Sequence, residues 1–146
     1  MAESERVLVV KHLEFIQNAI TRMATNSFII KGWAITLTTA IFAFTFSENF
    51  AANDVGWPLG FGLALLPVLL FWGLDGYYLR QERLLRMIYD TVREIRDDES
   101  VDFGFDKNRY SHQVPSWLRT CFSNTVFWFY TSLVIATITV WSILLR

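Results

Sequence analysis

The sequence predicts an all-α integral membrane protein with three transmembrane helices and amphipathic cytoplasmic helices. Three observations predict it. Of 146 residues, 53% are hydrophobic and only 18% charged, where soluble domains carry about a quarter charged residues. The apolar excess falls into three blocks almost free of charge. Of the 13 Lys and Arg residues, all but Arg146 lie before the first block's uncharged part or between the second and third blocks.

The chain divides in order. Residues 1–26 read as a cytoplasmic amphipathic helix, because Val9, Leu13, Ile16, Ile20 and Met23 recur at three- and four-residue steps on one face. Residues 27–47 form the first span, with Lys31 its only ionisable group. Residues 48–54 form an external loop bearing Glu48 and Asp54 and no cation. Residues 55–79 form the second span, uncharged from Val55 to Leu74 and carrying Pro67 inside, where a kink is expected. Residues 80–118 are a cytoplasmic basic helix and loop, the helix apolar face being Leu84, Leu85, Ile88, Val92 and Ile95. Residues 119–146 form the third span, uncharged from Thr120 to Leu145. A hydrocarbon core about 30 Å thick needs roughly 20 apolar residues at about 1.5 Å each, and each block supplies them. Barrel strands would alternate apolar and polar residues, which these blocks do not. As buried helices of a soluble protein, they would leave too little polar chain to cover them.

Cations favour the cytoplasmic side of a bilayer. The expected topology is therefore a cytoplasmic N-terminus and an external C-terminus. The charges within the first 25 residues interrupt any signal-peptide core, so insertion is expected to rely on the first span. The lone Cys121 excludes an intramolecular disulfide and a Cys-based zinc site. The two amphipathic helices either pack face to face as extensions of the spans or lie flat at the headgroups. The face-to-face arrangement suits the narrow apolar stripe of the second. Phe103, Phe105 and Tyr110, in an otherwise polar loop, are expected to dock on these helices.

Three constellations are candidates for function. Ionisable residues inside a membrane are costly, and antiparallel spans put Lys31 and Asp75 at similar depth. They make a pore gate, a structural ion pair, or, for Lys31, a side chain snorkelling to headgroups. Thr125, Ser132 and Thr139 share one face of span three. They line a hydrated pore or bond their own helix backbone, and Thr36 and Thr39 on span one make a rival lining. Arg80, Arg83, Arg86 and Arg93, with Lys107, Arg109 and Tyr110 in the loop, suit a nucleotide-like ligand through phosphate pairing and base stacking. The positive-inside bias and anionic headgroups account for the same cations without a ligand. Gly56, Gly60 and Ala64, and the series Gly32, Thr36, Ala40, Ala43 and Ser47, are stripes that permit close helix packing within or between subunits. Catalysis has little support: His12 and His112 are isolated, and no nucleophile elbow, P-loop or dinucleotide fingerprint occurs. No cofactor or metal is implied.

The stretches EFIQNAITRMATNSFIIKGWAITL (14–37) and LPVLLFWGLDGYYLRQERLLRMIYDTVR (66–93) resemble a family of small bacterial membrane proteins encoded in anti-phage defence operons, the channel effectors of Hailong-type systems. The resemblance covers about half of the chain. It implies a homotetrameric ion channel held closed at a cytoplasmic opening by a short single-stranded DNA made by a partner nucleotidyltransferase. Loss of that ligand would depolarise the membrane and arrest the infected cell. No position of this chain is assigned a ligand contact by the resemblance. A single subunit of three spans cannot enclose an aqueous path, so a channel requires a cyclic homo-oligomer, four subunits being the first expectation. The alternative is a non-conducting membrane scaffold that recruits a cytoplasmic partner.

Overall fold

Between Glu3 and Thr45 the chain offers no proline and a single glycine, so nothing interrupts i→i−4 hydrogen bonding, and the computed structural model shows one helix over that whole stretch. The structure describes residues 3–45, 56–94 and 111–144. In it α1 is Glu3–Thr45, α2 is Gly56–Glu94, α3 is Trp117–Cys121 and α4 is Asn124–Leu144. Pro67 cannot donate to the carbonyl one turn back, yet α2 continues through it and through Gly73 and Gly76. The amphipathic stretches expected at 1–26 and after residue 80 run on from the apolar stretches as the far halves of α1 and α2.

Length fixes what these helices can do. At about 1.5 Å per residue, α1 and α2 are roughly 65 and 59 Å long, and α4 about 32 Å. A hydrocarbon core is about 30 Å thick, so α4 matches it and the other two are about twice too long. Among the described residues, three stretches are long and apolar enough to cross a membrane: Val7–Thr45, Leu59–Arg93 and Asn124–Ile143.

α1 and α2 pack along each other as an antiparallel hairpin. One register runs its length, with Gly60 against Thr45 at one end and Lys31 against Asp75 midway. Two apolar clusters hold it. The first, towards the arginine-bearing end, joins Ile16 and Ile20 of α1 to Leu84, Leu85, Ile88 and Val92 of α2, with Val114 of the segment before α3. These are the residues whose spacing predicts the amphipathic faces, and they meet face to face. The second joins Ala34, Val68, Val126 and Tyr130, bringing α4 onto the hairpin. Phe103, Phe105 and Tyr110 lie outside the described residues.

The span expected from residue 119 is not one helix. Ser116 caps α3, its hydroxyl accepting from the Arg119 amide, and the turn at Phe122–Ser123 separates α3 from α4. α3 is pinned to α2 by glycines: the Gly76 Cα abuts Cys121, and the Gly73 carbonyl accepts from Trp117 Nε1 at 2.9 Å. Neither glycine breaks α2; both make room for α3.

Candidate functional site

The hairpin register brings one turn of α1 against Asp75 of α2. Ser27 and Lys31 are four residues apart and so share a helix face. The Lys31 ammonium lies 2.5 Å from Asp75 Oδ2 as an ion pair and donates to Ser27 Oγ at 2.9 Å. Ser27 Oγ in turn donates to Asp75 Oδ1. The three groups close a ring in which Oδ1 accepts the Ser27 hydrogen bond and Oδ2 is met by the ion pair alone, without a hydrogen-bond partner among the described residues. Asp75 is fully buried, whereas the Lys31 side chain keeps 19% exposure. That asymmetry has consequences, because the carboxylate has no route to solvent and the ammonium does.

α4 completes the surroundings. The Phe129 ring lies 5.8 Å from the Lys31 ammonium, within the range of a cation–π contact. Next to it, the buried Tyr130 ring stacks on Trp72, centroids 5.9 Å apart and planes 6° from parallel. Trp72, one turn before Asp75 on α2, donates from Nε1 to the Cys121 carbonyl at 2.9 Å. The Tyr130 hydroxyl is buried without a hydrogen-bond partner among the described residues. The four described helices therefore converge on one charged ring, about 21 Å along α1 from Thr45 at the usual helical rise.

The other sequence candidates are placed as follows. Arg80 Nε donates to the Pro115 carbonyl at 3.2 Å, fastening the segment before α3 to α2. Arg86 pairs with Glu82 of its own helix at 2.7 Å. Arg83 is half-buried and Arg93 exposed. Lys107, Arg109 and Tyr110 lie outside the described residues. Two neighbouring clefts open on the hairpin near this end. One of about 470 Å³ is lined by Val10, Leu13, Glu14, Gln17, Asn18 and Tyr89. The other, of about 210 Å³, adds Arg86 and Asp90.

Thr125, Ser132 and Thr139 all sit on the exposed side of α4. The Ser132 and Thr139 hydroxyls donate to the Phe129 and Ile135 carbonyls of the same helix. Gly60 and Ala64 are buried against the hairpin, Gly60 between Thr45 and Trp141; Gly56 opens α2. The described part of the span-one stripe does not pack within the subunit: Gly32, Thr36, Ala40 and Ala43 are exposed, and Ser47 lies outside the described residues. Ser27 is the functional neighbour that sequence reasoning missed. Its only signal is its place one turn before Lys31. Comparison of the chain with protein-family models, with curated proteins and with solved structures finds no match.

Proposed function

We propose that the chain is one protomer of a homo-oligomeric ion channel, four subunits first, that acts as the effector of a bacterial anti-phage defence system. In this reading the arginine-bearing end of the hairpin is cytoplasmic. A nucleotide or short single-stranded DNA, made by a partner nucleotidyltransferase, gates the opening there. Conduction depolarises the inner membrane and arrests growth.

The observation that carries the channel reading is a polar stripe on α1. Thr21, Thr25, Gly32, Thr36, Thr39 and Ala43 are all exposed and fall on one side of the helix, opposite the side packed on α2. Bulky apolar groups flank the stripe: Phe28 and Ile35 on one edge, Trp33, Leu37 and Phe44 on the other, all exposed. A helix side that only meets lipid gains nothing from hydroxyls and small residues, while protein contact or water does. A ring of such helices around an axis puts the stripe inside and the flanks against neighbours and lipid. The Lys31–Asp75 ring lies at the mid-height of that stripe on the opposite side of α1, where it ties α1 to α2.

One observation favours the scaffold alternative. The hydroxyls of Thr21, Thr25, Thr36 and Thr39 each donate to a carbonyl four residues back, so none requires water. Ion flux decides between the two. Protein in liposomes is expected to pass monovalent ions, with the flux altered by short single-stranded DNA on the arginine side. That effect should weaken on raising salt and in Arg83→Glu/Arg93→Glu. Assembled protein that never conducts, with or without oligonucleotide, leaves the scaffold reading.

A further inference from the structure

Between the polar segment that ends at Ser116 and the spanning helix α4 stands α3, five residues long. Its inner side is fixed: Thr120 and Cys121 are buried against α2. Its outer side is unusually apolar for so short an element. Trp117 is 45% exposed, Leu118 61% and the following Phe122 63%, and Leu118 and Phe122 stand one turn apart. Arg119 projects among them, exposed. Arg80 adds a second positive charge at the entrance to α3, held there by its bond to the Pro115 carbonyl.

Depth says what this patch meets. α3 rests on α2 at Gly73 and Gly76. Those residues stand about 26–30 Å along α2 from Gly56 at the usual rise, the thickness of a hydrocarbon core. If α2 enters the bilayer where it begins, α3 lies at the opposite boundary, the level at which tryptophans gather and cations meet phosphates. Tryptophan suits that boundary because its ring is apolar and its N–H polar; here the Trp117 N–H is already used on the Gly73 carbonyl, which fixes the ring. Charge complementarity points to an anionic occupant: Arg119 and Arg80 are beside the patch, while the nearby carboxylate, Asp75, is buried and paired.

We propose that α3 is an interfacial docking element for an anionic phospholipid, Trp117, Leu118 and Phe122 entering the acyl layer while Arg119, backed by Arg80, holds the headgroup phosphate. A guanidinium suits this role because its planar fork pairs with phosphate through two parallel N–H groups. The site stands independently of ion conduction, since a scaffold would use it equally.

The test compares purified full-length protein in micelles doped with equal amounts of phosphatidylglycerol or phosphatidylcholine. Lipid adducts are counted by native mass spectrometry, and thermal unfolding is followed by tryptophan fluorescence. A cation near an anionic headgroup contributes about a fivefold preference. Wild type is therefore expected to retain phosphatidylglycerol over phosphatidylcholine, with a higher unfolding temperature. Arg119→Gln should lose about fivefold of that preference, and Arg119→Lys should keep most of it. An undiminished preference in Arg119→Gln overturns the proposal. So does an equal stabilisation by soluble glycerol phosphate, which would mark a site for free phosphate. A fluorophore at Leu118→Cys in a Cys121→Ser background, quenched by brominated acyl chains, reads the same contact without relying on Arg119. Absence of quenching in folded protein would mean that a second copy of the chain covers the patch, and would equally overturn it.

Discussion

Replacing Lys31 by Met removes the ammonium while keeping an unbranched stem of similar length. Asp75 then keeps the Ser27 hydroxyl and loses its counter-ion in a place with no exposure. At 2.5 Å and an effective dielectric of about 20, the lost attraction is about 6–7 kcal/mol. Much of that had gone to offset desolvation of the two charges, so the net cost expected for breaking a buried pair is about 3–5 kcal/mol. Asp75→Leu should cost less, about 1–3 kcal/mol, because the partly exposed ammonium can extend towards the polar end. The double variant, with neither charge, should be nearly as stable as wild type, since apolar groups of similar volume replace a buried pair at little net cost. The assay is unfolding in mixed micelles by added ionic detergent, followed by the fluorescence of the 6 tryptophans. A double-mutant cycle gives the coupling. Costs that add in the double variant to within about 0.5 kcal/mol would refute the reasoning, because two residues that do not stabilise each other do not form the ring.

Gly76→Ala should destabilise the fold by about 1–3 kcal/mol, seen as an earlier unfolding midpoint. The new methyl meets the Cys121 Sγ and lies 3.2 Å from its Cα, which belongs to backbone and cannot turn aside. Gly32 makes the contrast, as a Cβ there meets nothing within 4 Å. Gly32→Ala should leave subunit stability unchanged or raise it by roughly 0.5–1 kcal/mol through the helix preference of alanine. Gly32→Phe should preserve the subunit but cut ion flux in liposomes if α1 lines the axis; full flux in that variant would remove α1 as the lining.

The three apolar spans were legible because lipid imposes a simple rule: a long run without charge and with its own hydrogen bonds. The meeting of Lys31 and Asp75 was legible for the same reason, as two costly groups at one depth in antiparallel helices. Face-to-face packing beyond the span was readable from Ile16 and Ile20 against Leu84, Leu85 and Ile88, since one apolar stripe needs another. What failed was punctuation. The run from Thr120 carries no charge, glycine or proline, so hydropathy joined α3 to α4; the break at Phe122–Ser123 arises from tertiary contact, with Cys121 seated on Gly76. The use of Gly73 and Gly76 as sockets for Trp117 and Cys121 depends on a segment more than forty residues away, which local sequence does not show. The span-one stripe read as packing in either sense; its exposure excludes the intrasubunit sense.

These placements make the subunit's surfaces unequal. The buried side of α1 carries the ion pair and both apolar clusters, and the opposite side carries hydroxyls and small groups that contribute nothing to the hairpin. Since α1 already gains its stability from α2, selection on folding alone has no use for a stripe of threonines facing away, and in lipid exposed leucine would serve as well. A second copy of the chain, or water along an axis shared by several copies, gives the stripe a reason to be polar. The same logic separates α1 from α4. The exposed hydroxyls of α4 alternate with Trp128, Ile135 and Ile143, themselves exposed; the α1 stripe meets the exposed Phe28 but resumes at Thr25 and Thr21 and reaches the Asn18 and Glu14 surface of the hairpin beyond the bilayer-length segment. A path for ions must join water at both ends, and of the two stripes the one on α1 reaches the polar surface at the arginine-bearing end.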